Sequence, residues 1–291
     1  MLLGLAAVQF GAAGAEPARA FVGQSDRLLF ALLLASMLPV FIAFLMGQST
    51  MILLLGLTLV ATGLRGRNDA AAGLGLAMLL IKPQLVVIPV ALLVWRGRLR
   101  GLAYFAVGCL AATRFWLVGY GGVAAHLGFL SSGAMAPEYH VSHTLLGLAL
   151  SIAGDNEGWQ AYLAMAGAVL VGGGAVLWRR RDSGSFELTD QLAIVVLASL
   201  LVSPYLRPYD LTLWSLPLAT AWSWASTGRG RWLLAACFIA PWLSVALSGL
   251  GPISLWPTVV AELLLFTALC RRYWLGLPHT AAAAVPAGTN G

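Results

Sequence analysis

The sequence predicts an all-α, polytopic membrane protein: a bundle of transmembrane helices carrying one broken, re-entrant helical element. Three observations predict it. Of the 291 residues, 60% are hydrophobic and only 10% charged, with a mean hydropathy of +0.86, values outside the range of soluble globular domains. Apolar runs close to the roughly 20 residues that cross a bilayer recur along the chain. Most are separated by short arginine clusters.

Taken in order, residues 1–15, "MLLGLAAVQFGAAGA", are apolar with no preceding basic residue, which favours the stub of a membrane segment over a signal peptide. Apolar runs follow at about 28–46, 49–64, 101–118, 159–178, 190–204, 210–226, 231–249 and 254–270. Residues 1–278 read as a single transmembrane domain, with 119–158 as an extracytoplasmic loop region. The tail 279–291, "HTAAAAVPAGTNG", is small, polar and Pro-containing, the composition of a disordered end. The Gly-rich "GAVLVGGGAV" reads as helix packing, because small residues let membrane helices approach.

The segment 71–95 is justified by topology. Arginines cluster at 65/67, 96/98/100, 179–181, 229/231 and 271/272, and the positive-inside tendency places all five clusters on the cytoplasmic face. One straight crossing over 71–95 would put the first two clusters on opposite sides. A break at Lys82-Pro83 removes the conflict, since proline interrupts the helical ladder and turns the preceding residue away from helical angles. Two half-helices then enter and return, each reaching only about 17 Å at 1.5 Å per residue. Such an element is tolerated where its turn is buried in protein or lines a wet cavity. The arrangement leaves three of the 17 basic residues on the outer side: Lys82, the only lysine, with Arg114 and Arg207.

Composition also excludes some functions. The net charge of +6 is carried by arginines beside membrane segments, so it reflects orientation in a bilayer and not a nucleic-acid surface. Cys109, Cys237 and Cys270 lie in apolar runs without a CxxC pair, so neither a disulfide framework nor a thiolate metal site is expected. Serine-hydrolase, Walker and Rossmann patterns are absent. Neither a metal nor a cofactor is expected.

The residues able to carry chemistry gather on the outer side, and ionisable groups at membrane depth are costly enough to mark a site or a cavity. Lys82 offers a cation beside loosened backbone, suited to a phosphate or carboxylate; its plainer role is to pair with a structural carboxylate. In "MGQST", Gln48 fits an interfacial turn. "SPYLRPYDL" supplies Ser203, Tyr209, Arg207 and Asp210; Asp210 suits a helix cap, a proton acceptor or an Arg207 partner. "PEYHVSH" supplies Glu138, His140 and His143, a hydrogen-bonding outer loop. Glu262 reads as a buried structural carboxylate.

Gly47-Gln48 opening a membrane helix, Lys82-Pro83 in a later apolar segment, and Ser203-Pro204 followed by Tyr209-Asp210 together resemble glycosyltransferase family 87 over about residues 28–226. This is the polyprenyl-phosphate-mannose-dependent group of the GT-C superfamily. The resemblance implies an integral membrane hexosyltransferase of the plasma membrane with an extracytoplasmic active site. It would transfer a sugar, typically mannose, from a polyprenyl-phosphate donor to a glycolipid or glycan acceptor, with inversion. On that basis Lys82, Arg207 and Arg114 face the donor phosphate, while Gln48, His140, His143, Ser203 and Tyr209 face sugar or acceptor.

The superfamily's base is an aspartate in the first outer loop, and no such residue stands here. The chain therefore reads as N-terminally shortened, with Asp210 or Glu138 as the substitute base. Two other functions compete with the transferase: a non-catalytic paralogue or scaffold subunit, and an anionic-lipid transporter, since broken helices with a cation at mid-depth also occur in transporters.

Overall fold

A computed structural model of the chain describes residues 29, 32–45, 47–119, 142–180, 188–222 and 228–276. Among these the architecture is entirely helical. Helix α1 spans Leu38–Leu45, α2 Thr50–Arg65, α3 Asp69–Met78, α4 Val87–Trp95, α5 Leu99–Gly119, α6 Leu145–Arg179, α7 Leu188–Val202, α8 Ser215–Trp222, α9 Gly228–Ala246 and α10 Trp256–Leu275. Short 3₁₀ segments cover Leu79–Ile81, Pro83–Leu85, Pro208–Trp214 and Ser248–Leu255. Two helical stretches, Leu145–Arg179 and Ser248–Leu275, are by themselves long and apolar enough to cross a membrane. Composition and fold together define an all-helical membrane protein. The central helix α7 is buried along nearly its whole length from Asp190 to Leu201.

The break expected at Lys82-Pro83 is present. Residues 69–81 and 83–95 form two helical arms of equal length on either side of Lys82. Lys82 itself leaves the helical region, at φ −131° and ψ 84°, as expected of a residue before proline. An ion pair of 3.2 Å joins Asp69, at the start of the first arm, to Arg98, just past the end of the second. The two ends of the element therefore lie together and its tip lies away from them. Glycines make the packing close enough: a Cβ on Gly75 would lie 2.5 Å from the Gly56 carbonyl oxygen, and one on Gly73 would collide with the Gly101 carbonyl. The first arm is thus wedged between α2 and α5 at backbone distance.

The arginine clusters collect at one end of the bundle. Arg65 ends α2; Arg96 donates to the Gln191 side chain at 2.9 Å; Arg180 donates to the Tyr273 carbonyl at 2.6 Å. Helices α9 and α10 run antiparallel, tied by the Ser244 and Thr258 hydroxyls at 2.7 Å. That places Arg229 and Arg231, at the start of α9, at the same end of the helix pair as Arg271 and Arg272, at the end of α10.

Several expectations need correction. The run expected at 159–178 lies in the long arm of α6, but a short helical arm from Leu145 precedes it inside the anticipated loop region, capped by Thr144, whose hydroxyl accepts from the Gly147 N–H. Its first nine residues, Leu145–Ala153, turn back at Gly154, where φ is 72° and ψ −172°. Only glycine adopts such angles without strain, and hydropathy does not register a single backbone reversal. The helix expected from 210 opens instead with 3₁₀ geometry from Pro208 and becomes α-helical at Ser215, as two prolines and an aspartate favour turn conformations. Within the Gly-rich stretch, Gly173 packs on Phe266, while Cβ atoms on Gly167, Gly172 and Gly174 would meet nothing within 4 Å. Only part of that stretch serves helix packing.

Candidate functional site

At the end of the bundle opposite the arginines, three short motifs from distant parts of the chain meet. The first, Gly47 to Thr50, is built by backbone capping. Gly47 takes φ +58°, its N–H donates to the Phe44 carbonyl at 3.2 Å, and the Gln48 N–H donates to the Ala43 carbonyl at 2.9 Å. This paired closure of a helix C-terminus needs a left-handed residue where glycine stands. The chain then re-enters α2 with Thr50 fully buried and Gln48 half-buried beside it.

The second motif is the tip of the re-entrant element. Lys82 projects from between the two 3₁₀ turns, and its Nζ donates to both carboxylate oxygens of Asp210 at 2.5 Å. The ammonium also sits 4.9 Å from the centre of the Tyr209 ring, a cation–π distance. Two residues on, the Gln84 amide donates to the Tyr205 carbonyl at 3.4 Å.

The third motif, Ser203 to Asp210, carries the carboxylate. Asp210 has no solvent exposure, and the Lys82 side chain retains 15%. Besides Lys82, Asp210 accepts from the Thr50 hydroxyl at 3.3 Å and from the Arg207 backbone N–H at 2.9 Å. The Arg207 interaction is a local cap at the start of the 3₁₀ segment. The residue therefore fills the cap role and an ionic role together, and the cation clasping its carboxylate is Lys82, 128 residues away in sequence. The Arg207 guanidinium donates to the Tyr205 hydroxyl and lies 5.3 Å from that ring's centre. Ser203 braces the loop through its hydroxyl bond to the Tyr205 carbonyl at 3.0 Å.

A further strap holds this loop. The Ser142 hydroxyl accepts from the Leu206 N–H at 2.8 Å, and the His143 N–H donates to the Leu206 carbonyl at 3.2 Å. His143 thus reaches the site's supporting loop through its backbone. Its ring is buried and its Nδ1 has no hydrogen-bond partner among the described residues; burial pushes the imidazole down to about 4, so it is neutral at physiological pH. Arg114 is exposed on α5, and no contact among the described residues joins it to the Lys82–Asp210 pair. Glu138 and His140 lie outside the described residues.

Thr50, Tyr205 and Ser142 complete the cluster without having been assigned roles from the sequence. Thr50 sits inside the quoted "MGQST", two residues from Gln48; a hydroxyl at the first position of an apolar helix was the available signal. Ser142 carried none, because its partner is a backbone group 64 residues away.

The fold and this buried polar cluster define an integral membrane protein with ionisable groups at one end of a helical bundle. The chain belongs to glycosyltransferase family 87, whose family model matches residues 1–204. Its activity class is thus that of a membrane glycosyltransferase. The matched span contains Gln48, Lys82 and Ser203 and stops before Arg207 and Asp210. No curated protein and no solved structure matches the chain.

Proposed function

We propose that this glycosyltransferase transfers mannose from a polyprenyl-phosphate donor to a glycolipid or glycan acceptor, with inversion. In this proposal the end of the bundle remote from the arginines faces the extracytoplasmic side of the plasma membrane. The observation that carries the proposal is the Lys82–Asp210 pair, held between three motifs and almost sealed from solvent.

An ammonium and a carboxylate in mutual contact at such a site are the two groups that this displacement requires. The acceptor hydroxyl oxygen attacks the anomeric carbon; the bond from that carbon to the phosphate oxygen breaks, and its electron pair leaves on the phosphate. The hydroxyl proton passes to a carboxylate. In the resting protein Lys82 and Asp210 neutralise one another. A donor phosphate competes for the ammonium, stabilises its own leaving-group charge there, and releases Asp210 as proton acceptor. Thr50 and the Arg207 N–H keep the carboxylate in place during that exchange. Arg207 and Arg114 add positive charge for the phosphate, and Gln48, Ser203, Tyr209, His140 and His143 surround sugar and acceptor, with Glu138 the other candidate base.

The test is transfer of label from radiolabelled polyprenyl-phosphate mannose by the purified full chain across a panel of acceptors. Lys82→Gln and Asp210→Asn are each expected to lower transfer by about 100-fold or more, the scale of losing one preorganised electrostatic contact. Absence of transfer by the unaltered chain across the panel refutes the proposal. A second reading, a non-catalytic scaffold subunit, is favoured by the complete burial of Asp210, which leaves an acceptor hydroxyl no access in the resting state. It predicts no transfer, with the same substitutions lowering stability alone.

A further inference from the structure

We infer that the groove between α6 and α10 at the arginine-rich end is a binding site for an anionic phospholipid of the adjoining leaflet. The groove has a volume of about 560 Å³ and is lined by Gly172, Ala175 and Val176 of α6 and by Phe266, Arg271 and Trp274 of α10. That volume is within the roughly 300–1,000 Å³ of ordinary ligand sites.

Three features specify the occupant. The first is length. The two helices run parallel here, with Gly173 against Phe266 and Arg180 bonded to Tyr273. From Phe266 to Trp274 the groove covers about 12 Å at 1.5 Å per residue, most of the roughly 15 Å of hydrocarbon in one leaflet.

The second is polarity along that length. Phe266 and Val176 are apolar and lie on the side toward the middle of the bundle, whereas Trp274, partly exposed, sits at the end. Tryptophan at a helix end belongs at headgroup level. A chain laid in the groove therefore has its tail at Phe266 and its head at Trp274.

The third is charge. Arg271 lines the mouth and no lining residue is acidic. Arg179 lies over the Trp274 ring at 4.4 Å, adding a second cation at the same level. Basic groups between membrane helices above an apolar slot suit a lipid phosphate. The missing side chain at Gly172 agrees with this: since a Cβ there would meet nothing within 4 Å, that glycine leaves space without serving a helix contact.

The inference does not rest on the transferase reaction, and its test needs no activity. Native mass spectrometry of the detergent-solubilised full chain, offered equimolar phosphatidylglycerol and phosphatidylcholine, reads which lipid is retained. One phosphatidylglycerol should be retained preferentially. Arg271→Gln should lower that preference about fivefold, the worth of one arginine near an anionic headgroup. Gly172→Leu, which points into open space on a helix that tolerates it, should abolish retention without shifting the unfolding midpoint. Equal retention of both lipids overturns the inference, as does a preference unchanged by both substitutions. It is also overturned if polyprenyl phosphate displaces phosphatidylglycerol and is itself lost in Gly172→Leu, for the groove is then a donor subsite.

Discussion

Replacing Lys82 with methionine removes the ammonium while keeping a stem of similar length. Asp210 then loses both 2.5 Å contacts and keeps only the Thr50 hydroxyl at 3.3 Å and the Arg207 N–H at 2.9 Å. The carboxylate has no exposure through which water can compensate. Breaking one side of a buried ion pair costs about 3–5 kcal/mol, because the surviving charge stays desolvated. If Asp210→Asn is added, the stranded charge is gone and the amide oxygen still accepts from Arg207, so the double variant should be more stable than Lys82→Met alone. The pair should therefore show a coupling of at least about 2 kcal/mol in a double-mutant cycle. The assay is unfolding of purified protein by sodium dodecyl sulfate, followed by tryptophan fluorescence. A cost below about 1 kcal/mol for Lys82→Met, or simple additivity of the two substitutions, would refute the reasoning, since either outcome means the two side chains do not meet in solution.

Stability should also depend on His143. Its folded value of about 4 lies below the ordinary 6.5, so the unfolded chain binds more protons between those values; the contribution is complete above pH 6.5 and is lost as pH falls toward 4, by about 3 kcal/mol. His143→Leu should flatten that slope in unfolding titrations at pH 7 and 4.5; an unchanged slope counts against the buried neutral imidazole. Gly73→Ala should destabilise by about 1–3 kcal/mol, because its Cβ collides with the Gly101 carbonyl, whereas Gly172→Ala should be neutral or slightly stabilising; equal effects in the same titration would contradict the wedge. Glu262, fully buried, accepts from the Trp214 indole N–H. Glu262→Gln should preserve that acceptor, and Glu262→Leu should cost about 1–3 kcal/mol more by stranding the N–H, checked by comparing the two unfolding midpoints.

Much of the architecture was legible because its causes are local or global constraints. The break at Lys82-Pro83 follows from proline stereochemistry and from the placement of arginine clusters, and the Asp69–Arg98 pair shows both ends of the element at the same level. The buried Glu262 follows from a lone carboxylate in an apolar helix. The turn at Gly154 was hidden, since one glycine in a polar stretch looks like any loop residue. The short helix before it, Leu145–Ala153, therefore falls inside the stretch that the preferred topology reads as loop.

The site was half legible. Lys82, Gln48, Ser203, Tyr209 and Asp210 stand out as polar residues beside apolar runs, and a charged residue at membrane depth is conspicuous whatever it touches. Which carboxylate meets which cation is a long-range matter. Asp210 has Arg207 three residues away, yet the ammonium that reaches its carboxylate comes from the tip of an element 128 residues earlier.

By itself, then, the sequence determined an all-helical membrane protein of glycosyltransferase family 87 with a cation at the tip of a broken helix. Hydropathy, proline geometry and charge asymmetry act on each segment wherever it packs. Tertiary structure alone decided that Lys82, Thr50 and Asp210 share one buried cluster, and that Gly172 borders an open groove and not a helix contact. Those outcomes depend on which faces meet when the helices pack, and no single segment encodes its neighbour.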